Sequence, residues 1–171
     1  MHVVWNPAIT LDGYIALPDG NADWVTDEDG RLFWELVRQA GCVIVGRTTY
    51  DMYRGEVYPV PGATTFVWTS RPETLEPAKG VMAVGGTAPQ VLAQVAAKGF
   101  TQAVLAGGGR TNNAFAAAGL IDEVIANIYP ALFGSGIKIL DGTAGALTLE
   151  LRESRPIAGG LIRNYYNVKK S

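Results

Sequence analysis

What most constrains this chain is the alternation of short apolar runs, rich in β-branched residues, with stretches of helical spacing. That pattern argues for strands joined by helices in a mainly parallel sheet. The apolar runs are His2 to Ile9, Cys42 to Val45, Thr64 to Trp68, Val81 to Val84, Ala103 to Ala106 and Val124 to Tyr129. Between them, Leu32, Phe33, Leu36 and Val37 share one face of a segment from about Asp27 to Ala40. Val91, Leu92, Val95 and Ala96 do the same after Pro89, a residue favoured at a helix start. Past Pro130 the period changes. Leu147, Leu149 and Leu151 alternate with polar residues, a second alternating run ends at Asn164 to Val168, and Gly159-Gly160 lies between them. An antiparallel hairpin at the sheet edge is therefore expected. The fold class is α/β.

The 171 residues, 48% of them hydrophobic, suffice for one well-formed core and not for two ordinary domains, so a single domain over 1–171 is expected. No repeat, low-complexity tract or linker divides the chain. A formal charge of -2, with both signs spread along the sequence, forms no basic stripe and argues against nucleic acid as a partner. The single cysteine, Cys42, lies in the run Cys42-Val43-Ile44-Val45 and reads as a small core residue. Neither a leader peptide nor a run of about 18 apolar residues is present, so a cytoplasmic protein without a membrane partner is expected. His2 is the one histidine, and no metal cluster can be built around it.

Three strand-to-helix turns carry the chemistry of an anion site. Gly46-Arg47-Thr48-Thr49-Tyr50 follows the strand ending at Val45: the glycine allows close backbone approach, the helix start supplies free N–H groups, and Arg47 adds a planar cation. Thr69-Ser70-Arg71-Pro72 follows the strand ending at Trp68 and places two hydroxyls and a guanidinium at a strand's carboxyl end. Together Arg47, Ser70 and Arg71 suit the extra 2′-phosphate that separates NADPH from NADH. Gly107-Gly108-Gly109-Arg110-Thr111 leads from the strand Ala103 to Ala106 into a helix over Asn112 to Ala118, a backbone cradle for a pyrophosphate. It does not match G-x-G-x-x-G. Each turn alone also reads as an ordinary cap or polar turn; right-handed crossovers can place all three along one sheet edge.

These residues resemble the dihydrofolate-reductase-like superfamily, and more closely its branch related to the reductase domain of bacterial riboflavin biosynthesis. The resemblance spans nearly the whole chain. It rests on Ile9-Thr10-Leu11-Asp12-Gly13-Tyr14-Ile15-Ala16, the three turns above, and Ala118-Gly119-Leu120-Ile121-Asp122-Glu123 leading to Pro130 and Leu132-Phe133-Gly134-Ser135-Gly136. It implies a three-layer fold binding NADPH. Gly46, Arg47 and Thr48 would lie on the pyrophosphate side, with Arg47, Thr69, Ser70 and Arg71 around the 2′-phosphate. Gly107, Gly108, Gly109, Arg110 and Thr111 would wrap the pyrophosphate and nicotinamide end, with a cis peptide expected at Gly107-Gly108. Ala8 and Ile9 would contact the nicotinamide through their backbone, and Thr10 to Trp24 would form a loop over the ring. The resemblance also implies homodimers.

Hydride transfer is the cofactor's chemistry, so the protein must position two rings, exclude water and in some cases supply a proton. The resemblance points to a carboxylate on the first helix, five residues after a loop tryptophan. Asp29 stands at that offset from Trp24, with Asp27 close by. Asp27, Glu28 and Asp29 also read simply as acids favouring a helix N-terminus. Asp12, Trp24, Phe33, Trp34 and Tyr53 are candidate substrate contacts, although an Asp-Gly pair is a common turn and each aromatic also reads as core. The H-x-E and P-C-x-x-C ligands of a fused zinc deaminase do not occur. Three functions remain open: an NADPH-dependent reductase of a small conjugated C=N or C=O compound of pterin, pyrimidine or riboflavin-precursor type, a non-catalytic NADPH-binding module, or a plain α/β structural subunit that binds no dinucleotide. A cavity filled by Trp24, Trp34 or Tyr53 would favour the second.

Overall fold

Strands that are apolar on both faces must be covered on both faces, and the runs around Val43 and Val104 satisfy that demand in a three-layer arrangement. The computed structural model describes residues 1–170. In chain order its elements are β1 (His2–Trp5), β2 (Ala8–Thr10), β3 (Tyr14–Ala16), α1 (Asp27–Ala40), β4 (Cys42–Gly46), α2 (Arg47–Tyr53), β5 (Thr64–Trp68), β6 (Val81–Val84), α3 (Ala88–Ala96), β7 (Gln102–Gly107), α4 (Gly109–Ala117), β8 (Glu123–Tyr129), β9 (Ile137–Lys138), β10 (Leu149–Pro156) and β11 (Ile162–Val168). Among the described residues one nine-stranded sheet runs β10-β11-β8-β1-β7-β4-β5-β6, with β2 also beside β8. Its pairings are parallel from β8 to β6, and β11 and β10 add the antiparallel hairpin expected at the edge.

Side-chain alternation divides the core. Cys42, Ile44, Ala103 and Leu105 pack with Val91, Val95 and Phe115 of α3 and α4 on one face. Val43, Val45 and Val104 pack with Val37 of α1 and Tyr50 of α2 on the other. Cys42 is fully buried and its thiol is pushed up to about 12 by desolvation, which agrees with a packing role.

Three expectations need correction. The run His2 to Ile9 is not one strand: it breaks at Asn6-Pro7, because Pro7 has no N–H for the ladder and the buried Asn6 amide instead donates to the Ile125 carbonyl at 2.6 Å. The helix expected from Asn112 starts at Gly109, since the Gly108 carbonyl already accepts from Asn112 N–H at 2.9 Å. The loop from Thr10 to Trp24 is not wholly irregular, for β3 pairs with β9 in a separate two-stranded sheet.

The turns after β4 and β7 approach so closely that a side chain at Gly46 has no room. An ideal Cβ there would lie 2.5 Å from Thr111 Oγ1, and one at Gly108 would lie 2.9 Å from Thr49 Oγ1. Gly46→Ala is expected to cost about 1–3 kcal/mol through overpacking. Gly30, inside α1 with nothing within 4 Å of an added Cβ, is the contrasting site. Gly30→Ala is expected to gain about 0.5–1 kcal/mol from helix propensity. Denaturant unfolding of both variants checks the pair; equal effects would refute the close-approach argument.

Candidate active site

Neighbouring positions of β7, β4 and β5 in the sheet, all parallel, put the three glycine- and hydroxyl-bearing turns at adjacent strand ends on one edge. A cavity of about 960 Å³ opens there and extends under α1 and the loop carrying β3. Gly46, Arg47, Thr48, Thr69, Ser70 and Arg71 line it from β4 and β5, and Gly108 to Thr111 line it from β7. Gly107 is buried behind them at φ +98°, and the Gly107-Gly108 peptide is cis, as the resemblance implied.

Helix capping sets this edge apart. The helices whose starts border the cavity, α2 and α4, have glycine N-caps, Gly46 and Gly108, which offer no side chain to cap the first N–H groups. By contrast the Thr26 hydroxyl accepts from the Asp29 N–H at the start of α1, and the Gln90 side chain accepts from the Thr87 N–H at 2.8 Å at the start of α3. The uncapped N–H groups thus face the cavity instead of being satisfied locally. Arg47 is braced: its guanidinium donates to Asp51 at 2.6 Å, to Thr74 Oγ1 at 3.0 Å and to the Thr74 carbonyl at 3.2 Å. Buried Thr69 accepts from the Arg71 backbone N–H at 3.1 Å, while the Arg71 and Arg110 side chains are exposed.

At the other end of the cavity lies Asp29. It is only 3% exposed, because the apolar face of α1 rests on the sheet and carries it inward. Asn127 Nδ2 donates to its Oδ1, and the Tyr129 hydroxyl donates to its Oδ2 at 2.9 Å. Arg163, also buried, donates from Nη1 to Asn127 Oδ1 at 3.1 Å and so fixes which end of that amide faces the carboxylate. The register explains the meeting, since Arg163 stands opposite Asn127 across β11 and β8. Burial pushes the Asp29 carboxyl above its ordinary range, outweighing the opposing pull of Tyr129, Arg163 and Asn127. Asn127, Tyr129 and Arg163 were not anticipated from the sequence; the inward polar positions 127 and 129 in an otherwise apolar strand were the available signal.

The remaining candidates divide. Ala8, Phe33 and Tyr53 line the cavity; Ile9, in β2, does not. Asp27 is exposed in the first turn of α1, outside the lining. Asp12 also lies outside it: its carboxylate accepts from Thr10 Oγ1 at 2.6 Å and from the backbone N–H groups of Phe133 and Gly134, pinning the loop rather than meeting a substrate. Trp24 packs edge-on against Tyr129 and Phe133, and Trp34 lies under Arg38, so neither reaches the lining.

Residues 1–58 and 56–162 match the RibD C-terminal domain family. The uncharacterized protein YwjB of Bacillus subtilis (strain 168) is 26% identical over 163 residues, covering 92% of this chain and 93% of that protein. A 2,5-diamino-6-ribosylamino-4(3H)-pyrimidinone 5′-phosphate reductase of Methanothermobacter thermautotrophicus is also 26% identical, over 96% of this chain and 97% of its own. Among solved structures, a candidate riboflavin biosynthesis protein of Shewanella sp. PV-4 superposes with a TM-score of 0.80 at 26% identity, covering 99% and 100% of the two chains. The dihydrofolate reductase of Enterococcus faecalis, complexed with NADP(H), reaches 0.74 at 18% identity over 99% and 97%, which places this chain in the dihydrofolate-reductase-like fold.

A buried carboxyl with a raised folded-state pKa costs stability as pH rises. The cost is absent below the ordinary value of 3.8, grows as pH climbs toward the raised value, and is constant above it. Asn cannot ionise, so the stability of Asp29→Asn relative to the parent should increase across that window and then level off. Thermal unfolding as a function of pH measures it; a difference independent of pH would mean that Asp29 is not held with a raised pKa.

Proposed function

This chain belongs to the RibD C-terminal domain family, and on that premise we propose that it is an NADPH-dependent reductase acting on a conjugated C=N or C=O bond of a small pyrimidine- or pterin-type ring. The observation that carries the reading is one cavity joining an anion-competent sheet edge to a buried carboxyl. The residues present fit the cofactor: added Cβ atoms at Gly46 and Gly108 would intrude on the cradle between the turns, and no side chain caps the first turn of α4. When bound, NADPH supplies the hydride.

The chain's own residues do the rest. Gly108 to Thr111 would take the pyrophosphate at the start of α4, and Ser70 and Arg71, beside braced Arg47, would take the 2′-phosphate. Ala8 would border the nicotinamide from the start of β2. Phe33 and Tyr53 wall the far end and exclude water from a flat ring. The Asp29 carboxyl, its pKa raised by burial, would hold the proton delivered to the substrate nitrogen or oxygen, while Asn127 and Tyr129 fix its plane. Asp27, exposed at the start of α1, would serve the helix dipole. The condition favouring a non-catalytic module is not met: the cavity stays open, with Tyr53 on its wall and Trp24 and Trp34 outside it.

Calorimetric titration with NADPH and NADH separately tests the cofactor half. NADPH should bind more tightly than NADH, and Arg71→Ala should lose about tenfold to a hundredfold in NADPH affinity alone, the range for a charge-assisted contact. Binding of neither cofactor would remove the reading. For the chemical half, Asp29→Asn should lower kcat by about 10²–10⁴-fold in substrate-dependent NADPH oxidation. The parent's kcat/KM should fall as pH rises through the raised Asp29 value, and a flat profile would exclude Asp29 as the donor.

A further inference from the structure

Among the described residues two buried side chains carry formal charge, Asp29 and Arg163, and they are of opposite sign. Neither forms a direct ion pair. A single amide lies between them: Arg163 Nη1 donates to Asn127 Oδ1 at 3.1 Å, and Asn127 Nδ2 donates to Asp29 Oδ1. Asn127, itself buried, therefore has its oxygen toward the cation and its nitrogen toward the acid, an orientation in which each hydrogen bond polarises the other.

The other contacts of Arg163 are neutral. Its Nε donates to the Tyr165 hydroxyl at 3.1 Å, and its guanidinium stands 5.7 Å from the centroid of that ring. Arg155, at 5.5 Å from the same ring, has its charge answered by Glu153. A buried guanidinium with no carboxylate against it costs folding free energy. The ladder between β11 and β8 does not require one, since its bonds are made by backbone. Arg163 and Asn127 both lie outside the cavity lining, so contact with a ligand does not account for them either.

What the charge reaches is the one buried acid. On the helix of Asp29, Asp27 is exposed and Glu28 pairs with Arg31; on the loop before it, Asp19 and Asp23 are exposed. From β8 come Asn127 and the Tyr129 hydroxyl, and β1 and β2 line the cavity with Trp5, Asn6, Pro7 and Ala8, none of which titrates. The cavity's own cations, Arg47, Arg71 and Arg110, stand on the turns after β4, β5 and β7, and Tyr53 and Tyr58 line the wall. Burial pushes the Asp29 carboxyl up, and Tyr129, Arg163 and Asn127 pull against it. A cation favours the ionised form of a nearby carboxyl, and an amide polarised toward that carboxyl adds to the effect.

We propose that Arg163 is a positioning residue of this site: from outside the cavity its charge acts through the Asn127 amide to loosen the hold of Asp29 on its proton, and so sets the pH at which that proton is given up. The proposal rests on the reductase reading for the use of the proton. The titration itself belongs to the chain alone.

The test follows the carboxyl ¹³C resonance of Asp29 against pH in the full chain without cofactor, the signal being identified by its loss in Asp29→Asn. Two variants separate charge from packing. Arg163→Gln keeps a donor for Asn127 Oδ1 and removes the charge, whereas Arg163→Lys keeps both. The Asp29 midpoint should rise by about 0.5–1.5 pH units in Arg163→Gln, less than the effect of an opposite charge in direct contact, and should stay close to the parent in Arg163→Lys. Tyr165→Phe removes a contact of Arg163 and not its charge, and should leave the midpoint in place. A midpoint unmoved in Arg163→Gln, equal midpoints in the Gln and Lys variants, or an equally large movement in Tyr165→Phe would each overturn the proposal. A midpoint that moves as expected in a chain that binds neither NADPH nor NADH would support the action of Arg163 and count against the reductase reading alone.

Discussion

The buried centre of the sheet is the constraint from which the rest follows. Val43, Ile44 and Val45 of β4 and Val104 and Leu105 of β7 have no solvent exposure, so both faces must be covered and no ligand can reach the strands from above or below. Parallel strands flanked by helices leave one kind of opening, the edge where strands give way to turns. The site therefore stands where backbone is least paired. Gly46 and Gly108 let the turns after β4 and β7 close on one another, and any larger residue would trade that approach for side-chain volume.

Much of this architecture could be read from the sequence because its signals are local. The strand runs, the helix over Asp27 to Ala40, the hairpin period change and the three turns each arise within a few residues, and parallel topology then places the turns together without further information. The failures have the opposite character. The break at Asn6-Pro7 depends on where Asn6 finds a carbonyl on β8, and the tie between Asp12 and Phe133-Gly134 spans more than a hundred residues. Asn127, Tyr129 and Arg163 converge on Asp29 through the pairing of β8 with β11 and the packing of α1, and no local pattern announces that register. Aromatic residues show the same limit. Phe33 and Trp34 are neighbours in sequence, yet a helix turns them to different surroundings, and Phe33 alone reaches the cavity.

Polar groups that a structure built only for stability would satisfy or remove are concentrated at this edge. α2 and α4 begin on glycines where α1 and α3 begin on capping threonines, and a buried carboxyl sits where a buried amide would avoid the cost of ionisation. Glycine-capped helix starts and a buried carboxyl gathered in one cavity are the pattern expected of a functional site.

The Asp29 network also shows why the acid end can keep such a group. Each carboxylate oxygen receives one donor from the protein interior, Asn127 on one and Tyr129 on the other, and Tyr129 in turn accepts from the Thr26 N–H at 2.9 Å at the cap of α1. The acid is thus tied to the start of its own helix and to two strands at once. Its plane is fixed by donors behind it, which leaves the remaining lone pairs on the cavity side for a ligand. Removing Arg163 would leave the Asn127 Oδ1 without its buried donor and take a positive charge from beside the carboxyl. The buried cation on β11 therefore acts on the cavity without touching it, and the antiparallel hairpin at the sheet edge is part of the site's construction.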